Sequence, residues 1–262
     1  MKRVILSGLF LLAFLGFAAQ GDAAVVTETV LYRHGEVELE GYLAYDNTTD
    51  QKRAAVLVVH EWKGLGEYAQ HRARLLAEKG YVAFAVDMYG KGVRPQTHEE
   101  AAKEAGIYRN DRALMRARIQ SALDVVRQHP LVDDARIAAI GYCFGGSAVL
   151  ELARSGADVR GVASFHGALS TPSPADAKNI RGKVLVCHGE ADTFVGPDEV
   201  AAFKKEMSDA GVDMRFESYP GAVHSFTVES AGSDPSTGVA YDAEADRRSW
   251  ETLQAFLTEV FA

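Results

Sequence analysis

The chain lacks most of the residue patterns that announce a cofactor, a metal or a nucleic-acid partner. Only two of its 262 residues are cysteines. Cys143 and Cys187 are too far apart for a C-x-x-C redox pair and too few for a thiolate cage. There is no Lys/Arg-rich run, and Asp plus Glu outnumber Lys plus Arg 36 to 28 for a formal charge of −8. A basic stripe for nucleic acid is therefore absent. Neither G-x-G-x-x-G nor G-K-[ST] occurs, which removes the common dinucleotide and nucleotide cradles. His60-Glu61 is not followed by the second histidine of a zinc-protease motif. No metal and no cofactor are expected.

The amino terminus stands apart. Lys2 and Arg3 precede an apolar stretch from Val4 to Ala19, and small residues follow at Gly16, Ala18, Ala19, Gly21, Ala23 and Ala24. That is the layout of a secretory signal peptide over residues 1–24, with the cut falling between about 18 and 24. An uncleaved membrane anchor is the alternative, but the apolar run is short for a bilayer span. The expectation is an exported mature chain, periplasmic or secreted, with no membrane contact after cleavage. Oxidising compartments favour cysteine pairing. Here Cys143 lies in a motif that needs a free thiol, and Cys187 closes the apolar run Val184-Leu185-Val186, so no disulfide is expected.

Residues 25–262 read as one domain. Strand patterns at Val25–Tyr32 and Val37–Tyr45 lead to Ala54–His60, a continuous apolar run that suits a strand buried on both faces. Helical spacing over Glu67–Lys79 ends at Gly80. Tyr81–Val86 is the next strand, and one long helical region covers His98–Gln128 with a break expected near Gly106. Strands follow at Arg136–Tyr142, Val159–Phe165, Lys183–Cys187 and Met214–Tyr219. Helices are expected at Gly145–Arg154, Glu199–Ala210 and Ala243–Phe261. This alternation predicts an α/β fold with a mostly parallel sheet and helices on both faces. The polar, Gly/Ser-rich stretch 229–239 is long for a connection and marks a candidate functional loop.

Arg136–Ile140 runs into Gly141-Tyr142-Cys143-Phe144-Gly145-Gly146, and a helix follows. G-x-C-x-G-G between strand and helix is the pattern of a nucleophile elbow with cysteine in place of serine. The turn is strained, and side chains two positions either side of the nucleophile would collide with neighbouring elements. A glycine-rich turn around a buried cysteine is the plainer alternative. Two later segments add weight. Asp192 follows the Val184–Cys187 strand in His188-Gly189-Glu190-Ala191-Asp192, and His224 follows the last strand in Pro220-Gly221-Ala222-Val223-His224-Ser225-Phe226. Cys143, Asp192 and His224 then stand in the nucleophile–acid–base order of the α/β-hydrolase fold. His224 would exchange a proton with the thiol and activate water, and Asp192 would fix its tautomer. Glu190 competes for the acid position, and His188 reads as a structural hydrogen-bonder.

With these segments in place, the chain resembles the dienelactone hydrolase family. The matching stretches are V-V-H-E-W-K-G-L at 58–65, D-M-Y-G at 87–90, G-Y-C-F-G-G at 141–146, H-G-E-A-D at 188–192 and G-A-V-H-S-F at 221–226. The resemblance implies an eight-stranded α/β-hydrolase fold and hydrolysis of an ester or lactone through an acyl-enzyme. It also implies that Glu61 contacts the resting thiol and helps deprotonate it when substrate arrives. A carboxylate there opposes thiolate formation and keeps the free enzyme's sulfur protonated. The oxyanion hole is expected from the backbone N–H groups of Phe144 and Trp62, and the Trp62 side chain is a candidate pocket wall.

Two substitutions depart from the family pattern. Members acting on dienelactone hold its carboxylate with two arginines. One of those positions falls at Gly90-Lys91-Gly92, where Lys91 could supply a point charge but no bidentate fork. The other falls at Thr227-Val228, where Val228 is apolar. Arg94 is a further candidate for the first role. The implied partner is a small-molecule ester or lactone. A thioesterase or peptidase on the same scaffold, a non-catalytic ligand-binding protein and a thiol-redox protein are the alternatives weighed, the last disfavoured by the missing resolving cysteine.

Overall fold

The apolar run behind Ala54–His60 sets the architecture. The computed structural model describes residues 24–262; the segment read as a signal peptide lies outside the described residues, apart from Ala24. Within β3 (Arg53–Val59), Ala55, Leu57 and Val59 point into one apolar cluster, while Val56 and Val58 point into a second on the opposite face. A strand with two buried faces has to lie between layers of helix.

The other strands are β1 (Val25–His34), β2 (Val37–Asp46), β4 (Val82–Val86), β5 (Val132–Tyr142), β6 (Gly161–Phe165), β7 (Lys183–Gly189) and β8 (Met214–Tyr219). All eight strands join one sheet in the order β1-β2-β4-β3-β5-β6-β7-β8. The β1–β2 and β2–β4 pairs are antiparallel and the rest are parallel. The helices are α1 (Glu67–Glu78), α2 (His98–Asn110), α3 (Arg112–Arg127), α4 (Phe144–Arg154), α5 (Pro197–Asp209) and α6 (Ala243–Val260). Helices α2 to α5 pack on the face that includes Leu57, and α1 and α6 pack on the face that includes Val58. The expected fold class is thus observed: a mostly parallel sheet with helices on both sides.

Several boundaries differ from expectation: β5 begins at Val132 rather than Arg136 and β6 at Gly161 rather than Val159, and one helix break moves. The helical region 98–128 breaks at Asp111, not at Gly106, which lies inside α2. Asp111 has non-helical backbone (φ −125°, ψ 88°) and its carboxylate accepts the Leu114 N–H at 2.8 Å. A short polar side chain that satisfies an orphan helix N–H starts a new helix more decisively than glycine interrupts one. Among the described residues no helix is long and apolar enough to cross a membrane.

Parallel strands bring the loops after β3, β4, β5, β6, β7 and β8 to one edge of the sheet, at the carboxyl ends of the strands. In open α/β sheets this edge carries the ligand site.

Candidate active site

The elbow forms because three glycines let three backbones meet. Cys143 is the junction between β5 and α4, with φ 52° and ψ −111°. A Cβ at Gly141 would lie 2.0 Å from the Gly145 carbonyl oxygen. One at Gly145 would lie 2.3 Å from the Val59 carbonyl oxygen, and one at Gly146 would lie 2.5 Å from Ser164 Oγ. These approaches clamp the start of α4 against the ends of β3 and β6. Phe144 is the first residue of α4, so its N–H has no partner within the helix and points out of its positive end. The same clamp brings the loop carrying Glu61 and Trp62 beside it. The rings of His60 and Phe144 stack at 5.8 Å.

The structure brings the Asp192 and His224 side chains together. His224 Nδ1 lies 2.8 Å from Asp192 Oδ2. The other oxygen of Asp192 accepts the backbone N–H groups of Phe194 at 2.8 Å and Val195 at 3.3 Å. The buried carboxylate is therefore fully committed and fixes which imidazole nitrogen faces outward. Cys143 is among the groups that act electrostatically on the His224 imidazole. Burial pulls the imidazole toward neutrality, but the hydrogen bond to the Asp192 carboxylate pushes its pKa upward, which makes the ring a stronger proton acceptor than a free imidazole. Glu190, the rival acid, is exposed. His188 is buried with its ring 5.7 Å from Phe216, behind Asp192.

The long polar loop 229–239 has a place here. His224 N–H donates to Gly238 O at 3.2 Å, and His224 O accepts from Ala240 N–H at 3.1 Å. The loop holds the backbone of the predicted base on both sides.

Glu61 is half-buried just past β3. Ser225 Oγ donates to its Oε1 at 3.3 Å. Burial raises the Glu61 pKa against the lowering pull of His224, Ser225 and Lys63. Trp62 is half-buried; its ring lies 5.3 Å from His98 and its carbonyl accepts from Tyr89 Oη at 2.9 Å.

The three residues considered for substrate charge are otherwise engaged. Lys91 Nζ sits 2.8 Å from Glu38 Oε1 on the surface. Arg94 Nη1 donates to the carbonyls of Val93 at 2.8 Å and Gly90 at 3.2 Å, close to the buried Asp87. Val228 is buried. Neither cation is presented as a free carboxylate clamp.

Sequence reading passed over several residues at this site. Phe194, 62% exposed, stands with its ring 5.2 Å from that of His224. His166 lies buried directly behind the elbow, and Thr227, Tyr68 and Arg72 form a hydrogen-bonded group beneath His224. Phe194 had a signal, being an aromatic residue two places after a candidate acid. The others had none, because their meeting depends on which strands are neighbours. Among the described residues, no group of three or more His, Cys, Asp or Glu side chains is placed to hold a metal.

The model of the dienelactone hydrolase family matches residues 39–261. The chain belongs to that family. Family members of known structure superpose closely. A dienelactone hydrolase-like promiscuous phosphotriesterase, P91, from metagenomic libraries is 37% identical with a TM-score of 0.86, covering 91% of this chain and all (100%) of that one. The solved protein m3DLH is 38% identical with a TM-score of 0.88 over the same shares. A protein of Aquifex aeolicus, provisionally named carboxymethylenebutenolidase, is 27% identical across 87% of this chain and 96% of its own length. Membership of the dienelactone hydrolase family carries hydrolase chemistry on lactones or esters as the family's activity.

Proposed function

We propose that this family member cleaves a carboxylic ester or lactone through Cys143, His224 and Asp192. The observation that carries the reading is the His224–Asp192 bond of 2.8 Å beside a thiol held on a strained elbow. His224 takes the Cys143 proton, and the sulfur attacks the substrate carbonyl. The oxyanion accepts from the Phe144 and Trp62 N–H groups. Collapse breaks the ester C–O bond, and the departing alkoxide receives the proton from His224. Water, deprotonated by His224, then releases the acid from the thioester. A slowly deacylating aryl ester, quenched in acid and digested, tests this by mass spectrometry. The acyl mass is expected on the peptide containing Cys143; acyl groups found only on other residues defeat the reading.

Phe194 supports a neutral, partly apolar substrate. Exposing a whole phenyl ring is unfavourable in the free protein, and covering it favours binding by about 25 cal/mol per Å². Phe194→Ala is expected to lower kcat/KM for hexanoate and aryl esters by roughly tenfold, leaving acetate within about twofold. An unchanged chain-length profile in steady-state kinetics removes the ring from substrate binding.

Glu61 is proposed to keep the resting thiol protonated. Glu61→Gln is expected to speed iodoacetamide alkylation of Cys143 several-fold in the absence of substrate, and to slow ester turnover. Equal or slower alkylation would show that the carboxyl does not restrain the thiol.

The likeness to P91 supports a second reading, on phosphotriesters. The same sulfur and N–H donors could serve a phosphoryl centre, and turnover of a dialkyl aryl phosphate, lost on Cys143→Ala, tests it. Export rests on Lys2, Arg3 and the apolar segment after them. N-terminal sequencing of the mature chain reads the cut directly.

A further inference from the structure

Three non-glycine residues among those described have positive φ: Cys143 at 52°, His166 at 38° and Ser225 at 59°. All three lie at the active site. Such conformations cost energy and persist where surrounding structure over-determines them. Cys143 is the elbow, and Ser225 holds Glu61. His166 is left without a role.

Its surroundings are specific. The ring is buried at the end of β6, the strand next to β5. The Cys143 N–H donates to Phe165 O at 3.0 Å and, shared with it, to His166 Nδ1 at 3.2 Å, and Nε2 lies 2.8 Å from Thr227 Oγ1. A peptide N–H can only donate, so Nδ1 carries no proton and Nε2–H donates to Thr227. The ring is thereby held neutral in one tautomer. Burial and the neighbouring His224, whose ring centroid is 5.3 Å away, push its pKa far down in agreement.

Thr227 is anchored in turn. Its Oγ1 is 2.6 Å from Tyr68 Oη, and its carbonyl accepts from Arg72 Nη2 at 3.0 Å. Arg72 also donates to Tyr68 Oη at 3.1 Å and pairs with Asp246 of α6. Its guanidinium lies within 5.2 to 5.6 Å of the Tyr68, Tyr142 and Trp250 ring centres. Thr227 is therefore a fixed point, and it stands three residues after His224 on the same loop.

We propose that His166 is a positioning residue, a neutral spacer that ties the Cys143 backbone to the His224 loop and so sets the gap between nucleophile and base. The inference rests on the reading of Cys143 and His224 given above. Those two residues arrive on β5 and after β8, with β6 and β7 between them. One rigid ring at the end of β6 bridges from the elbow to the loop. It does so without a charge that would oppose protonation of His224 during turnover.

The test uses three variants of the full chain. His166→Phe keeps most of the volume and removes both bonds. His166→Asn puts an amide oxygen where Nδ1 was and restores the second acceptor for the Cys143 N–H, the first being Phe165 O in every variant. Thr227→Val removes the far anchor at constant shape. For a small aryl ester, His166→Phe is expected to lower kcat by roughly 100-fold with KM within about threefold. His166→Asn should regain about tenfold of that loss, and Thr227→Val should lose about tenfold. The pH profile of iodoacetamide alkylation is the readout that a packing role would not move. In His166→Phe and Thr227→Val the wild-type profile should be lost, with alkylation several-fold slower at neutral pH, because the imidazole no longer meets the sulfur squarely. A folded His166→Phe with the wild-type alkylation profile overturns the proposal, even if its kcat falls. Should His166→Phe fail to fold, Thr227→Val decides in the same way. Alkylation needs no ester turnover, so a wild type inert toward esters would defeat the function proposed above while the spacer is still judged by its profile.

Discussion

Cys143→Ala is expected to lower ester turnover by at least about a thousand-fold while the protein stays folded. Alanine removes the sulfur and nothing else the elbow needs. The strained φ of 52° is imposed by Gly141, Gly145 and Gly146, which meet the backbone of α4, β3 and the β6 side respectively. Some rate over water should remain, because the proposed oxyanion donors, the N–H groups of Phe144 and Trp62, are untouched by the substitution. Steady-state hydrolysis of an aryl acetate measures the loss, with circular dichroism as the check on folding. A variant keeping a tenth of wild-type activity would make Cys143 a packing residue and end the triad argument.

Gly145→Ala should do the reverse, damaging the fold before the chemistry is reached. Its Cβ would sit 2.3 Å from Val59 O and 2.7 Å from His60 O, both backbone atoms at the end of a central strand. Neither can swing aside as a side chain would. A cost of about 3 kcal/mol or more is expected, which at this chain length lowers Tm by roughly 6–12 °C. Gly106→Ala in α2 is the internal control. That site has open space and ordinary helical backbone, so alanine should raise stability by about 0.5–1 kcal/mol. Thermal melts of the two variants moving in the same direction would show that the glycine contacts do not govern the elbow.

Legibility in the sequence followed the range of the interaction. The Gly141–Gly146 motif is local, and its spacing alone announces strand, turn and helix. The apolar run of β3 was readable because burial on both faces leaves no polar positions. The order of Asp192 and His224 along the chain was enough to pair them, since the fold delivers loops in sequence order to one edge. His166 was silent. Its hydrogen bond to Cys143 spans 23 residues and exists because β6 pairs with β5 in the register Tyr142 to Phe165. Lys91 was readable as a cation but not as the partner of Glu38, which comes from the antiparallel hairpin 53 residues earlier. Asp111 carried a local signal, an acid before a helical run, that outweighed the glycine five residues upstream.

Cys187 has a practical use for anyone handling this protein. Its sulfur is buried in β7, accepts a hydrogen bond from Tyr219 Oη at 3.6 Å, and burial pushes its pKa up to about 12. A thiol reagent at neutral pH therefore meets one competent sulfur per folded chain, that of Cys143. With Cys143 as the proposed nucleophile, counting reactive thiols in a preparation counts chains whose nucleophile is free. Adding denaturant raises the count from one to two, so the same assay reports the fraction of molecules that are unfolded.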